Sequence, residues 1–170
     1  MSLLGGDPIA EAVIKISEGE TDRLTVLYDR LGRMIFALAM SILNNYADAE
    51  VAMQDTFVKV ASSAGEFRPD GNAKAWIMAI ARNCAVDRLR ERAKSPVAEP
   101  DGEIASDSPD VAEVCALNDL MSRLDETDRQ IVVLRAVDRM RYGEIADVFG
   151  LTAEGVRKRY QRAIQKMRSL

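Results

Sequence analysis

Apolar residues recur every three or four positions along almost the whole chain, and this spacing is typical of helices that bury one face. One long run extends from about Arg23 to Leu43, and another extends from about Ala73 to Ala93. No segment shows the alternation of apolar and polar residues that predicts a strand. Since 48% of the 170 residues are hydrophobic, the chain can fill folded cores. The sequence therefore predicts an all-α fold.

The helical pattern is interrupted at residues 95–110 by a stretch rich in proline and acidic residues. This stretch contains Pro96, Pro100 and Pro109 and no basic residue. Such a composition cannot bury enough apolar surface to order itself, so it predicts a flexible acidic linker. We expect two small helical domains of four helices each, residues 1–94 and residues 111–170. A tether of this kind predicts that the two domains move independently when the protein is free.

Turn-forming and capping residues mark the ends of several predicted helices. Gly19 is expected to end a short first helix. Asp48 is expected to begin the helix that stops near Gly65. The segment 66–72 is rich in turn formers and predicts a loop before the helix that begins at about Ala73. In the second domain, Asp125 is expected to cap a further helix.

The C-terminal segment predicts a helix-turn-helix followed by a basic helix. Ala146 is small enough for two helices to cross closely, Gly150 can adopt a positive φ, and Val156 can pack the second helix onto the first. Thr152 is a good N-cap for that second helix. The basic residues that follow are Arg157, Lys158, Arg159, Arg162, Lys166 and Arg168, with only Glu154 opposing them. This charge favours contact with DNA phosphates, although a basic helix can also be a solvated face that complements its own dipole.

Composition argues against several classes of function. The net charge is −4, so DNA binding would depend on how the basic residues are distributed. The absence of histidine excludes Ser-His-Asp and Cys-His catalytic systems and most zinc sites. Cys84 and Cys115 form no CxxC pair and are expected to be reduced structural thiols. We expect no enzyme activity, cofactor, metal or small-molecule substrate, and a cytoplasmic location because no apolar run reaches the length of a membrane span.

Three stretches of the chain, taken together and in this order, resemble the signature sequences of a known family. They are DAEVAMQDTFVKV at residues 48–60, AWIMAIARNCAVDRLR at residues 75–90 and YGEIA at residues 142–146. The family is the extracytoplasmic-function (ECF) group of the sigma-70 family of bacterial RNA polymerase sigma factors. The resemblance implies that the first domain is sigma region 2 and the second is sigma region 4. It also implies an alternative sigma factor that binds core RNA polymerase and promoter DNA and is controlled by an anti-sigma factor.

The resemblance further implies roles for individual residues. The implied contacts with polymerase, on the helix near Asp48, are Asp48, Glu50, Gln54 and Asp55. The implied contacts with the −10 promoter element are Phe67, Arg82, Asn83, Asp87, Arg88 and Arg90. The implied contacts with the −35 element are Thr152, Glu154, Arg157, Lys158, Arg159 and Arg162. Arginine can fix phosphates, and asparagine can pair with an adenine edge, so these residue types suit DNA.

Three further positions near these surfaces carry expectations of their own. In the family, a flipped base is held in a pocket shaped by the loop before the −10 helix, here about residues 63–72. Phe67 could line that pocket or anchor the loop. Trp76 lies at apolar helical spacing and is expected to pack in the core. Gly155 replaces a threonine that is common in the family, and glycine inside a helix costs about 1 kcal/mol relative to alanine.

Two other functions stay open on the residues alone. A helix-turn-helix regulator that does not act through polymerase would use its first domain to bind an effector or to dimerise, and would bind DNA when free. A protein-interaction adaptor would use the basic helix only for solubility. The sigma-factor interpretation instead predicts weak DNA binding by the free chain. It also predicts an antagonist that covers residues 48–59 and some of Val132, Val133, Leu134 and Val137.

Overall fold

The computed structural model describes residues 6–94 and 109–169, and this part of the chain forms eight α-helices and no β-strand. The first four helices are α1 (Pro8–Ser17), α2 (Leu24–Leu43), α3 (Tyr46–Ser63) and α4 (Ala73–Lys94). The last four helices are α5 (Pro109–Leu120), α6 (Glu126–Asp138), α7 (Tyr142–Phe149) and α8 (Ala153–Arg168). The prediction of an all-α fold is confirmed. Residues 95–108, which are most of the predicted linker, lie outside the described residues. No helix within the described ranges is both long and apolar enough to cross a membrane.

The boundary between α2 and α3 is set by two adjacent asparagines. Asn44 ends α2 in the left-handed conformation, with a φ of 47°. The Asn45 side chain accepts a hydrogen bond of 2.9 Å from the backbone N–H of Asp48. Asn45 is therefore the N-cap, and α3 begins at Tyr46 rather than at Asp48 as the sequence predicts.

The predicted helix-turn-helix is formed by α7 and α8. Gly150 ends α7 with a φ of 66°, a conformation that suits glycine. The Thr152 hydroxyl accepts a hydrogen bond of 3.0 Å from the backbone N–H of Gly155 and so caps α8. Ala146 and Val156 are both buried, and α7 packs against α8. The turn chemistry read from the sequence is confirmed.

α2 is the central helix of the molecule. It packs against α3 and α4 of the first domain and also against α6 of the second. Every residue from Met34 to Leu43 is buried, and none of them is charged. A helix that is apolar on all sides needs cover on all sides, and α6 supplies part of that cover.

The two domains consequently pack against each other, which differs from the independent motion that the linker predicts. α6 lies against α2, and α7 lies against α4. Val132, Val133 and Leu134 of α6 are each at most 1% exposed. The sequence interpretation assigns this apolar surface to an antagonist, but here helices of the same chain bury it. Burial of this apolar surface away from water lowers the free energy of the packed arrangement.

Candidate nucleic-acid and partner-binding surfaces

A cavity of about 400 Å³ lies between α4, the loop before it and Asp147 of α7, where the family resemblance implies a base pocket. The loop turns at Gly71, whose backbone N–H donates a hydrogen bond of 2.8 Å to the Arg68 carbonyl. A Cβ atom at Gly71 would lie 3.1 Å from that carbonyl oxygen, so the turn favours glycine. The Asn72 side chain then accepts a hydrogen bond of 2.9 Å from the N–H of Ala75 and caps α4. The loop is thus held firmly beside the cavity.

Two aromatic rings form one wall of the cavity. The centroids of the Phe67 and Trp76 rings are 5.4 Å apart. Phe67 is only 7% exposed, so it anchors the loop and lines the cavity at once. Trp76 is half-buried and faces the cavity, so it is a wall residue as well as part of the packing. The sequence interpretation of Trp76 as a core residue is therefore only partly right.

Arg82, a candidate −10 contact, is engaged by the second domain. Its Nε donates a hydrogen bond of 2.9 Å to the Oε1 of Gln130 on α6. Its guanidinium carbon lies 5.0 Å from the centroid of the Phe149 ring on α7, which is a cation–π distance. Gln130 is fully buried by this packing. In this arrangement the Arg82 guanidinium contacts Gln130 and Phe149 of the second domain.

Glu144 of α7 makes a second polar contact with the α4 side of the cavity. Its Oε1 accepts a hydrogen bond of 3.0 Å from the Asn72 side-chain amide. Partial burial alone would raise the pKa of the Glu144 carboxyl. The Asn72 hydrogen bond, the backbone N–H of Arg141 and the nearby charges of Lys74 and Arg141 outweigh that effect and hold the pKa below its ordinary value. Glu144 is therefore ionised and held against the first domain at neutral pH.

The remaining −10 candidates point in two directions from α4. Asn83, Asp87 and Arg90 are exposed, and their spacing places them on one strip of the helix. Arg90 lies 3.8 Å from Asp87 in a loose ion pair within that strip. Arg88 instead faces α3. The structure therefore does not bring the six −10 candidates to one site.

Asp48 links α3 to α4. Its carboxylate accepts hydrogen bonds of 3.0 Å from both the Nε and an Nη of Arg88, and one of 3.1 Å from Arg92. The Asp48 side chain is only 13% exposed. In this structure Asp48 serves packing between two helices, and its implied role in polymerase binding stays a prediction.

The other polymerase candidates lie further round α3. Gln54 and Asp55 are exposed, whereas Glu50 is half-buried and accepts a hydrogen bond of 3.2 Å from the Tyr46 hydroxyl. Beside Gln54 is a shallow, largely apolar notch between α2 and α3. The notch is lined by Leu24, Thr25, Tyr28, Met53, Gln54 and Phe57.

Tyr28 is the part of this surface that the sequence pattern assigns wrongly. Its spacing on α2 predicts a core position, but the residue is 54% exposed. Its ring centroid lies 5.6 Å from that of Phe57 on α3. An exposed tyrosine that packs on a partly buried phenylalanine beside polar residues is a common feature of protein interfaces. In the sequence, only the phenol hydroxyl indicates that Tyr28 is exposed, because this group favours a position in contact with water.

α8 presents some of its basic residues to solvent. Lys158 and Arg162, one turn apart, are exposed, and Arg162 makes no ion pair with another described residue. Glu154 accepts hydrogen bonds from Arg157, and these lower the pKa of its carboxyl below the ordinary value. Thr152 is the N-cap. The exposed basic surface of α8 is thus smaller than the basic run in the sequence suggests.

Arg159 differs from its basic neighbours because it holds α8 on α6. Its guanidinium donates a hydrogen bond of 2.6 Å to Asp128, and it lies 3.8 Å from Asp125. The side chain is about one-third exposed. Arg159 is placed to stabilise the second domain, whereas Arg162 is exposed to solvent.

Two family models match this chain in the order that the sequence predicts. Sigma-70 region 2 matches residues 27–95, and Sigma-70 region 4 matches residues 116–167. Within the described ranges, no cluster of three or more cysteine or acidic side chains could hold a metal ion. The first domain therefore contains region 2, and the second contains region 4.

Curated relatives and solved structures agree with the two models. The chain is 28% identical to RNA polymerase sigma factor CarQ of Myxococcus xanthus, over 92% of this chain and 93% of CarQ. It is also 28% identical to ECF RNA polymerase sigma factor SigM of Mycobacterium tuberculosis, over 95% of this chain and 83% of SigM. CnrH, solved in complex with the cytosolic domain of CnrY, superposes with a TM-score of 0.74 at 25% identity and covers 96% of each chain. Sigma factor RpoE of Bartonella quintana, solved with the anti-sigma factor NepR, has a TM-score of 0.64 at 20% identity over 85% of this chain and 95% of that one, and shares the fold. The chain belongs to the extracytoplasmic-function group of the sigma-70 family and is an alternative sigma factor.

Proposed function

We propose that this protein is a non-enzymatic initiation factor that binds core RNA polymerase, recognises a −10 and a −35 element and helps to open the first. The observation that carries this proposal is the cavity of about 400 Å³ beside α4, with Phe67 and Trp76 in its wall. An ordinary helix-turn-helix regulator reads duplex DNA and needs no pocket for an unstacked base. A factor that melts DNA does need one, because a base that leaves the duplex loses its stacking.

The chemistry of the cavity suits a single nucleobase. Stacking of a base on an aromatic side chain is worth about 1–3 kcal/mol, which offsets the cost of unstacking it from the duplex. Asn72 stands at the rim, and its amide can donate to a base edge once it is released from Glu144. Arg82 lies on the same helix as Trp76 and can hold the adjoining phosphate once it is released from Gln130.

The −35 element is assigned to α8. Lys158 and Arg162 are exposed on a helix whose N-terminus is fixed by Thr152 and whose base is packed on α6. The second helix of a helix-turn-helix enters the major groove in this way. Arg157 is also available once DNA competes for its bond to Glu154.

The polymerase-binding surface is assigned to the outer face of α3 and the adjoining notch. Gln54 lines an apolar depression that contains Tyr28 and Phe57, and the neighbouring Asp55 is exposed on the same helix. An apolar centre with a polar rim is the usual composition of a protein interface. The carboxylate of Asp55 suits a basic partner surface.

We also infer a cytoplasmic protein that is controlled by an anti-sigma factor. Core polymerase and promoter DNA are cytoplasmic, so a sigma factor acts there. Support for the antagonist comes from the RpoE fold relative, which was solved in complex with an anti-sigma factor. Because regions 2 and 4 pack against each other, helices of both regions form one surface that is available to such a partner.

The pocket assignment can be tested with 2-aminopurine. Promoter fragments are first selected from a random library with core polymerase plus the chain. 2-Aminopurine is then placed at each −10 position in turn. A fluorescence change at one position that the neighbouring positions do not show is expected with wild-type holoenzyme, and Trp76→Leu should reduce open-complex formation. Trp76→Phe, which retains an aromatic ring, is the matched control and should keep most of the open-complex formation. A uniform response at all positions, or no effect of Trp76→Leu, would contradict the pocket.

A further inference from the structure

A column of three stacked side chains joins α6, α7 and α8 within region 4. Its members are Arg135 in the last turn of α6, Tyr142 at the start of α7 and Tyr160 on α8. The Arg135 guanidinium carbon lies 4.6 Å from the centroid of the Tyr142 ring, which is a cation–π distance. The centroids of the Tyr142 and Tyr160 rings are 6.0 Å apart. None of the three is among the residues that the family resemblance assigns to the −35 element.

Arg135 also fixes the turn that leads into α7. Its Nη1 donates a hydrogen bond of 2.8 Å to the Met140 carbonyl. The turn begins at Arg139, which ends α6 in the left-handed conformation with a φ of 50°, although this conformation favours glycine. Arg135 therefore holds both the backbone that enters α7 and the first side chain of that helix, Tyr142.

Two contacts fix the rotation of α8 about its own axis. Arg159 reaches the first turn of α6 through Asp128, and Tyr160 meets the column. These two residues of α8 are consecutive, and consecutive residues of an α-helix are turned by about 100° about the axis. A helix that is held in two directions on one turn cannot roll without breaking one of the contacts. The column thus helps to decide which side chains of α8 point away from α6 and α7.

Arg157 is the −35 candidate that stands closest to the column. It lies one turn before Tyr160, so both side chains leave α8 on the same side. Glu154 raises the pKa of the Arg157 guanidinium by its hydrogen bond and its charge, and the nearby Tyr142 phenol adds a smaller effect in the same direction. Tyr142 is therefore adjacent to Arg157 as well as to Arg135. Arginine reads guanine through two parallel hydrogen bonds, which tolerate little error in the direction of the guanidinium.

We propose that Arg135 and Tyr142 are positioning residues for −35 recognition, which hold α8 at the rotation from which Arg157 reads the DNA. This inference rests on the proposed assignment of the −35 element to α8. It extends that assignment to two residues that act through Arg157 and need not touch a base.

The test uses holoenzyme and measures discrimination, which is the ratio of the affinity for the selected −35 duplex to that for duplexes with one base pair changed. Tyr142→Leu removes the ring, and Arg135→Gln removes the cation while both rings stay in place. We expect each variant to lower discrimination roughly tenfold at the base pair that Arg157 reads, since this is about the value of one good bidentate contact. Tyr142→Phe keeps the ring and should retain most of the discrimination. Arg123→Gln, the same substitution at an exposed site between α5 and α6, is the control and should leave discrimination unchanged.

Further readouts separate positioning from stability and from direct contact. A role in stability alone would lower the midpoint of urea unfolding without changing the discrimination of folded holoenzyme, and that result would overturn the proposal. If Tyr142→Phe lost as much discrimination as Tyr142→Leu, the hydroxyl would itself contact DNA, which also overturns it. In an Arg157→Ala background, Tyr142→Leu should cost no further discrimination, because the column acts through Arg157. Additive losses would contradict that route.

The outcomes for wild-type holoenzyme separate the two proposals. A wild-type holoenzyme that does not discriminate among −35 duplexes would overturn the assignment of α8, and the positioning role with it. Wild-type discrimination that both Tyr142→Leu and Arg135→Gln retain would overturn the positioning role alone. Because Arg135→Gln leaves both rings in place, it tests the column even if Tyr142→Leu does not fold.

Discussion

Arg88 donates two hydrogen bonds of 3.0 Å to Asp48, although the family resemblance assigns the two residues to different partners, DNA and polymerase. Arg92 adds a third bond to the same carboxylate. Because Asp48 is largely buried, these bonds tie α4 to α3 and are part of the fold of region 2.

Replacement of Asp48 by asparagine is therefore expected to destabilise the protein. Loss of the charged acceptor should lower the free energy of unfolding by about 1.5–3 kcal/mol, the usual contribution of hydrogen bonds to charged groups. Urea denaturation followed by circular dichroism measures it. Asp55→Asn, on the exposed face of the same helix, is the control and should stay within about 0.5 kcal/mol of wild type. Equal stability of the two variants would show that the Asp48 bonds contribute nothing net.

Arg159 and Arg162 are expected to separate stability from DNA contact. Arg159→Ala removes the bond to Asp128 and should lower the midpoint of urea unfolding. Arg162→Ala should leave that midpoint unchanged, weaken binding of holoenzyme to −35 duplexes evenly across sequences and reduce the salt slope by about 1. If Arg162 reads a base instead, specificity should relax at one base pair at a cost of about 1–3 kcal/mol. An unaltered affinity and salt slope for Arg162→Ala would remove this residue from the DNA surface.

Thr152 and Gly155 are expected to be energetically coupled. Thr152→Ala removes the N-cap of α8 and should cost about 1 kcal/mol. Gly155→Ala should gain less than the roughly 1 kcal/mol of helix propensity, because the new Cβ would lie 3.0 Å from the Thr152 hydroxyl. In the Thr152→Ala background this crowding is absent, and the same substitution should gain the full amount. A double-mutant cycle in urea measures the coupling, and simple additivity of the two substitutions would refute it.

Cys84 is expected to react slowly with alkylating reagents. Burial raises the pKa of its thiol, and this outweighs the opposing effects of the Thr56 hydrogen bond and the Lys59 charge. Because the thiolate is the nucleophile, iodoacetamide labelling at neutral pH should be well below that of a free cysteine and should increase with pH above the ordinary thiol range. Mass spectrometry of the Cys84 peptide gives the rate. Fast labelling at pH 7 in the folded protein would mean that the thiol is accessible and ionised.

The local structure follows closely from the sequence because its signals are short-range. Thr152, Gly150 and Asp125 each act within one helical turn, and each has the predicted capping or turn role. The misplaced start of α3 has the same kind of cause. Asn45 and Asp48 are both good N-caps, and Asn45 takes this role directly after Asn44, which ends α2 in the left-handed conformation.

The packing between domains and the fate of individual side chains could not be predicted from local pattern. The uncharged run from Met34 to Leu43 indicates a helix covered on all sides but does not name α6 as the cover. Likewise, the composition of α4 reveals its arginines but not that Arg82 meets α6 while Arg88 meets α3. These contacts join residues far apart in sequence, and only the tertiary fold decides them.

Run-off transcription with purified core polymerase tests the central claim most directly. Promoter fragments selected with core plus the chain serve as templates, and core alone is the control. We expect core with the chain to start transcription at a fixed distance from the selected elements, and core alone to give no such product. The free chain should bind the same duplexes only weakly. Tight binding of the free chain to duplex DNA, with no association with core and no specific transcript, would contradict a sigma factor and support a regulator that acts without polymerase docking.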